Sequence, residues 1–137
     1  MTSSLAETLR SCGIQPSAQR LAVAEYVLRT KDHPAADDVL ARVRSRAPAI
    51  SRATVYNTLN LLVDKGLLRT LVLAEGKQVF DPNLAPHHHF VDEATGAIHD
   101  VPWDSLDVHR VEQLLDLEVR EYQVVLRGRR RGARRQP

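Results

Sequence analysis

The chain has 137 residues, enough for one ordinary domain or two small ones, and its 43% apolar and 26% charged content is that of a folded globular protein. No long apolar stretch opens it and Cys12 is its only cysteine, so a secretory signal, a membrane span and an intrachain disulfide are not expected, and a cytoplasmic location is. The net charge of +2 hides an asymmetry: residues 127–135 carry six arginines and no acid, and the other 13 basic residues face 17 acidic ones, so the basic end reads either as a nucleic-acid contact or as a disordered, solubilising tail.

Leu5 to Arg10 predicts a short opening helix that ends near Gly13. Ser17, after Pro16, is an N-cap for a second helix whose apolar face is Leu21, Ala24 and Leu28 and which ends between Thr30 and His33. Pro34 suits the first turn of the next helix, with Asp37 and Asp38 near its positive end and Val39, Leu40 and Val43 as the buried stripe; Pro48 closes it. Ser51 caps a helix over Arg52 to Lys65, with Val55, Leu59 and Leu62 facing a core and Gly66 just past its end. Leu67–Leu73 and Gln78–Asp81, with Gly76 between them, read as a β-hairpin. Helices followed by a two-stranded ribbon make a winged helix-turn-helix.

The run Pro82-Asn-Leu-Ala-Pro86 predicts a hinge. Beyond it come a strand His87–Val91, a turn Glu93–Gly96, a strand Ala97–Val101, a helix from about Asp104 to Arg120 with Val108, Val111, Leu114 and Leu115 at helical spacing, and a strand Tyr122–Leu126. The fold class is therefore α+β, with a winged-helix domain at 1–82, a hinge at 83–86, a small α/β dimerisation and metal-sensing domain at 87–127, and a basic tail at 128–137. Three strands and one helix are too few to bury a good core, so a homodimer is expected.

Two stretches carry chemistry. In a strand, His87 and His89 project to one face and His88 to the other, so the first two form a pair of transition-metal ligands; a solvated histidine run is the plain alternative. The helix after Ser51 offers Arg52, Thr54, Tyr56, Asn57 and Asn60 on its polar face, with Asp64 alone as acid near its end. These groups suit phosphates and base edges in a major groove, and Arg20, Lys65, Arg69 and Lys77 could add phosphate contacts. Double-stranded DNA is the expected partner, and Ser51 is included with the DNA-facing set.

SRATVYNTLNLLVDKGLLR, the preceding HPAADDVL and the later VFDPNLAPHHHF resemble the Fur family of metal-dependent bacterial repressors, over about Leu9 to Gly128. The resemblance implies a winged helix, a dimerisation domain, a palindromic operator and a regulatory metal site whose positions here are His33, Asp81, His87, His89 and Asp100. Three imidazoles and two carboxylates suit divalent iron or manganese, with zinc able to enter as well. One ion held by His33 and by His87, His89 and Asp100 would fix one relative orientation of two domains and so favour one DNA-binding conformation. The two Cys-x-x-Cys pairs of many relatives are missing: Asp92 and Thr95 stand at the first pair and arginines at the second, so no structural zinc held by four thiolates can form. A second metal site, of which His88 and Asp107 would remain, is put in doubt by Tyr122, which stands where a histidine is expected.

Aspartate at position 100 resembles the peroxide-sensing PerR type, in which ferrous iron reacts with peroxide and oxidises a ligating histidine, here His33 or His87, whereas manganese supports repression without that chemistry; the Fur-type ferric uptake regulators, an alternative, tend to have glutamate there. The HHH run and the missing thiolates also resemble the Irr type, which responds to haem and iron, but Cys12 is followed by Gly13 rather than by proline, which ranks haem and iron sensing second. No catalytic residue is assigned and no enzyme is expected. A metallohydrolase would need a general base near the histidines, and only Glu93 is close in sequence; a metal carrier would leave the winged-helix pattern idle.

Overall fold

Three of the four α-helices among the described residues begin on a serine whose hydroxyl accepts an otherwise orphaned amide of the first turn. Ser4 does so for α1 (Leu5–Ser11), Ser17 for α2 (Ala18–Val27) and Ser51 for α4 (Arg52–Asp64). The third, α3 (Ala36–Val43), starts on Ala35, whose N–H donates to Asp38 Oδ2 at 3.0 Å. Residues 4–74 and 76–132 are the ones described in this computed structural model.

Two details correct the sequence reading. Pro34 lies outside α3 rather than in its first turn, because its carbonyl accepts the Phe80 N–H at 2.9 Å and is tied to a strand instead. The second helix stops at Val27, and its fully buried residues are Val23, Ala24 and Val27, with Leu21 and Leu28 only half-buried. Its stripe is rotated because the helix packs on both α3 and α4, which the period alone does not reveal.

Chain contacts divide the molecule into one unit up to Leu84 and another from Ala85. In the first unit Val27, Val39, Val55, Leu59 and Leu62 have no exposed surface and hold α2, α3 and α4 together. Gly66 follows α4 at φ +78°, the left-handed turn that a glycine makes without strain. Strands β1 (Arg69–Ala74) and β2 (Lys77–Asp81) then pair antiparallel, with Arg69 opposite Asp81. This is the expected helical unit and wing.

The second unit is a three-stranded sheet. Its central strand, β3 (His87–Asp92), pairs antiparallel with β4 (Ile98–Pro102) and parallel with β5 (Val125–Gly128). The β3–β4 turn is closed by hydrogen bonds: Asp92 Oδ1 accepts from the Ala94 N–H at 2.9 Å, the Asp92 carbonyl from Gly96 at 2.7 Å and Thr95 Oγ1 from Ala97 at 3.1 Å. Asp92 and Thr95 thus close this turn locally.

The helix expected over Asp104 to Arg120 is not formed. Two 3-10 turns, Trp103–Ser105 and Val111–Gln113, replace it, and Arg110 between them takes a left-handed φ of +73°. A helix of that length draws its stability from burying its apolar stripe, and here nothing in the chain covers that stripe. Leu115 is 91% exposed and Leu117 62%. Among the described residues from Ala85 on, Val91 is the one buried apolar side chain. The last strand also starts three residues later than expected and takes in Gly128, which the sequence reading gave to the tail; residues 133–137 of that tail lie outside the described residues. No described helix is long and apolar enough to cross a membrane.

Leu59→Ala should cost the first unit about 2–5 kcal/mol, the range for emptying a fully buried leucine site, read as a lower urea midpoint.

Candidate metal centre and nucleic-acid face

The sheet register places the donors of the second unit. His89 lies directly opposite Asp100, and His87 is two residues away on the same face. His87 Nε2 is 3.5 Å and His89 Nε2 3.8 Å from the same oxygen, Asp100 Oδ1. The two rings meet edge to face with centroids 4.6 Å apart. Both are buried, at 7% and 1% exposure, while the Asp100 side chain keeps 36% of its surface.

The other nitrogen of each ring is committed to an oxygen. His87 Nδ1–H donates to the Ala85 carbonyl at 2.6 Å, and His89 Nδ1–H donates to Gln123 Oε1 at 2.6 Å. A carbonyl only accepts, so the proton sits on Nδ1 and Nε2 is the nitrogen able to ligate. Two such nitrogens directed at one carboxylate make an arrangement that a divalent cation would complete. The donor set, two imidazoles and a carboxylate, fits a borderline ion such as Fe2+, Mn2+ or Zn2+.

In the first unit, His33 Nε2 lies 3.4 Å from Asp81 Oδ2, and both side chains are almost fully buried. The Pro34–Phe80 hydrogen bond brings the start of α3 against β2 and so sets His33 beside the end of that strand. His33 has φ +53°, a left-handed backbone uncommon outside glycine and worth a functional question in a histidine that precedes proline. Asp81 Oδ1 accepts the Asn83 N–H at 2.9 Å, which orients the carboxylate. This pair offers two further possible ligand atoms.

His88 points to the other face, as alternation requires. It stacks on Trp103 at 4.6 Å and 14°, and its Nδ1 accepts the Val124 N–H at 2.9 Å. Neutral His88 then carries its proton on Nε2, an arrangement that suits stacking better than ligation. His88 and Asp107 do line one pocket of about 380 Å3, together with Trp103, Asp104, His109 and Tyr122.

The expected DNA-facing residues fall into three groups. Arg20, Thr54 and Asn57 line a common pocket of about 380 Å3 between the start of α2 and α4, joined by Gln15, Ser17 and Gln19. Arg52 and Tyr56 both donate to Asp37 Oδ1, the tyrosine at 2.7 Å. Ser51 is occupied as the N-cap of α4, and Asn60 is exposed. Asp37, read in the sequence as a helix-end charge, instead neutralises part of the α4 face; the capping role belongs to Asp38. The Tyr56 hydrogen bond first, and that of Arg52 second, hold the Asp37 carboxyl below its ordinary 3.8, and the Tyr56 hydroxyl is raised in turn by Asp37. Sequence reasoning missed Asp37, Gln123 and Ala85. Gln123 carries no local signal, because its partner lies 34 residues away.

A winged-helix unit with a polar recognition face, followed by a small sheet bearing His-x-His and Asp donors, defines a DNA-binding regulator with a candidate metal centre. The chain belongs to the ferric uptake regulator family, whose profile matches residues 11–127. It is 36% identical over 108 residues to the peroxide operon regulator of Bacillus subtilis strain 168, covering 79% of this chain and 73% of that one. It is 32% identical over 125 residues to the peroxide-responsive repressor PerR of Staphylococcus epidermidis, covering 88% and 82%. Among solved structures, the Campylobacter jejuni peroxide stress regulator matches with a TM-score of 0.68 and 25% identity, over 93% of this chain and 97% of that one.

Because the folded-state value of Asp37 is lowered, its contribution is fully present above pH 3.8 and is lost as pH falls through the lowered value. Carbon-detected titration should find the Asp37 midpoint below 3.8 in the wild type and nearer to it in Tyr56→Phe.

Proposed function

We propose that this protein is a metal-dependent transcriptional repressor that senses peroxide, and that one divalent iron or manganese ion is held by His33, Asp81, His87, His89 and Asp100. The observation that carries the reading is the approach of His87 and His89 Nε2 to one oxygen of Asp100 with both Nδ1 protons already committed. The His33–Asp81 pair supplies two donors, too few for a first-row ion on their own, and the second set supplies three. An ion taking all five would tie the DNA-binding unit to the sheet unit. Its binding would then favour one conformation over others, and a coupling of about 1–3 kcal/mol changes DNA affinity by about 5–150-fold.

Peroxide as the signal is supported by the relatives named for it and by aspartate at position 100. Bound ferrous iron would supply the electrons that activate peroxide beside the imidazoles, whereas manganese would not. His33 and His87 are the residues expected to take up oxygen, and losing either as a donor releases the hold on the DNA-binding unit.

The operator would be palindromic double-stranded DNA read by a homodimer. The dimer is supported by the exposed apolar side chains of the second unit, Leu114, Leu115, Leu117, Val119 and Leu126, which a second copy would cover. Arg20, Thr54 and Asn57, with Arg52, Tyr56 and Asn60, would meet the groove, and Ser51 supports them as the helix cap.

Asp100→Ala should lower manganese-dependent operator affinity by about 5–150-fold and leave the dimer intact, measured by anisotropy and sedimentation; unchanged affinity would remove Asp100 from the site. Peroxide added to the iron-loaded protein should put one oxygen on His33 or His87 by mass spectrometry and abolish operator binding, and should do neither to the manganese form. Leu115→Glu should shift sedimentation toward monomer, and a wild-type dimer constant in that variant would place the interface elsewhere.

A further inference from the structure

We infer that Gln123 is a positioning residue of the metal site, holding His89 in the tautomer and orientation that direct Nε2 toward Asp100. The inference rests on His89 being a ligand, as proposed above.

Gln123 precedes β5, and its side-chain carbonyl lies 2.6 Å from His89 Nδ1. The placement is imposed by the backbone of the next residue, Val124. The His89 N–H donates to the Val124 carbonyl at 3.0 Å, and the Val124 N–H donates to His88 Nδ1 at 2.9 Å. Residue 123 is thereby fixed beside the ring of His89. Gln123 is itself exposed and contributes little to packing, so its contact with His89 is its main structural connection.

The chemistry follows from the ring. An amide carbonyl accepting at Nδ1 keeps the proton there and leaves Nε2 as the donor atom, 3.8 Å from Asp100 Oδ1. His87 is oriented the same way by the Ala85 backbone carbonyl, which no substitution removes. His89 depends on a side chain, so its aim can be altered.

The test compares full-length wild type, Gln123→Ala, Gln123→Glu and His89→Ala, each titrated with Mn2+, with the His89 tautomer read from its ring nitrogen shifts in metal-free protein. The wild type should show Nδ1–H. Gln123→Ala should lose that preference and bind Mn2+ about 10–100-fold more weakly, and Gln123→Glu should bind at least as tightly as wild type. Wild-type tautomer and affinity in Gln123→Ala would overturn the proposal. So would an equal loss in Gln123→Glu, since a merely structural role would not be rescued by a retained acceptor. If His89→Ala binds as wild type does, the ligand reading fails and the proposal with it. If His89→Ala is weakened and Gln123→Ala is not, Gln123 alone is ruled out.

Discussion

A central β-strand that buries three consecutive histidines must give each ring a partner, because an imidazole removed from water without one costs several times the net worth of an ordinary hydrogen bond. All three are served at Nδ1, but by different chemistry. His87 and His89 donate there to carbonyls, whereas His88 accepts there from an amide. The strand's alternation therefore becomes an alternation of protonation. The face shared with Asp100 presents nitrogens that can ligate, and the opposite face presents a stacked ring against Trp103. The proposed metal binding by the second unit depends on this division, and so does the weaker case for a second site at His88 and Asp107.

The first unit solves a different problem. A helix that reads DNA must bury one face and keep the other polar, and α4 does so with Val55, Leu59 and Leu62 inside. Its outward arginine and tyrosine share Asp37 rather than pointing freely into solvent. An exposed ion pair of this kind adds little stability. Its effect is to order two long side chains and to offset one positive charge on the polar face of α4.

Much of this was legible in the sequence because it is local. Ser17 and Ser51 mark helix starts, Gly66 and Gly76 mark turns, and the alternation across His87 to His89 follows from strand geometry. The pairing of His89 with Asp100 needed only a hairpin with the right turn. What the sequence hid was long-range or depended on a covering surface. Gln123 meets His89 across 34 residues, and Asp37 meets Tyr56 across 19. The stripe Val108, Val111, Leu114 and Leu115 has helical spacing, yet spacing describes a surface to be buried and not the partner that buries it; in one chain that segment forms two 3-10 turns with Leu115 exposed.

The left-handed backbone of His33 belongs to the same logic as the wing. The Pro34 carbonyl is bonded to Phe80, so the residue before it is held between the end of β2 and the start of α3, and its ring lies against Asp81. Four residues further along the chain is Asp37, the partner of Arg52 and Tyr56. One possible donor of the first unit, His33, thus lies four residues before the carboxylate that orders two side chains of α4. An ion that fixed His33 and Asp81 would stiffen the wing's last residue and the entry to α3 together.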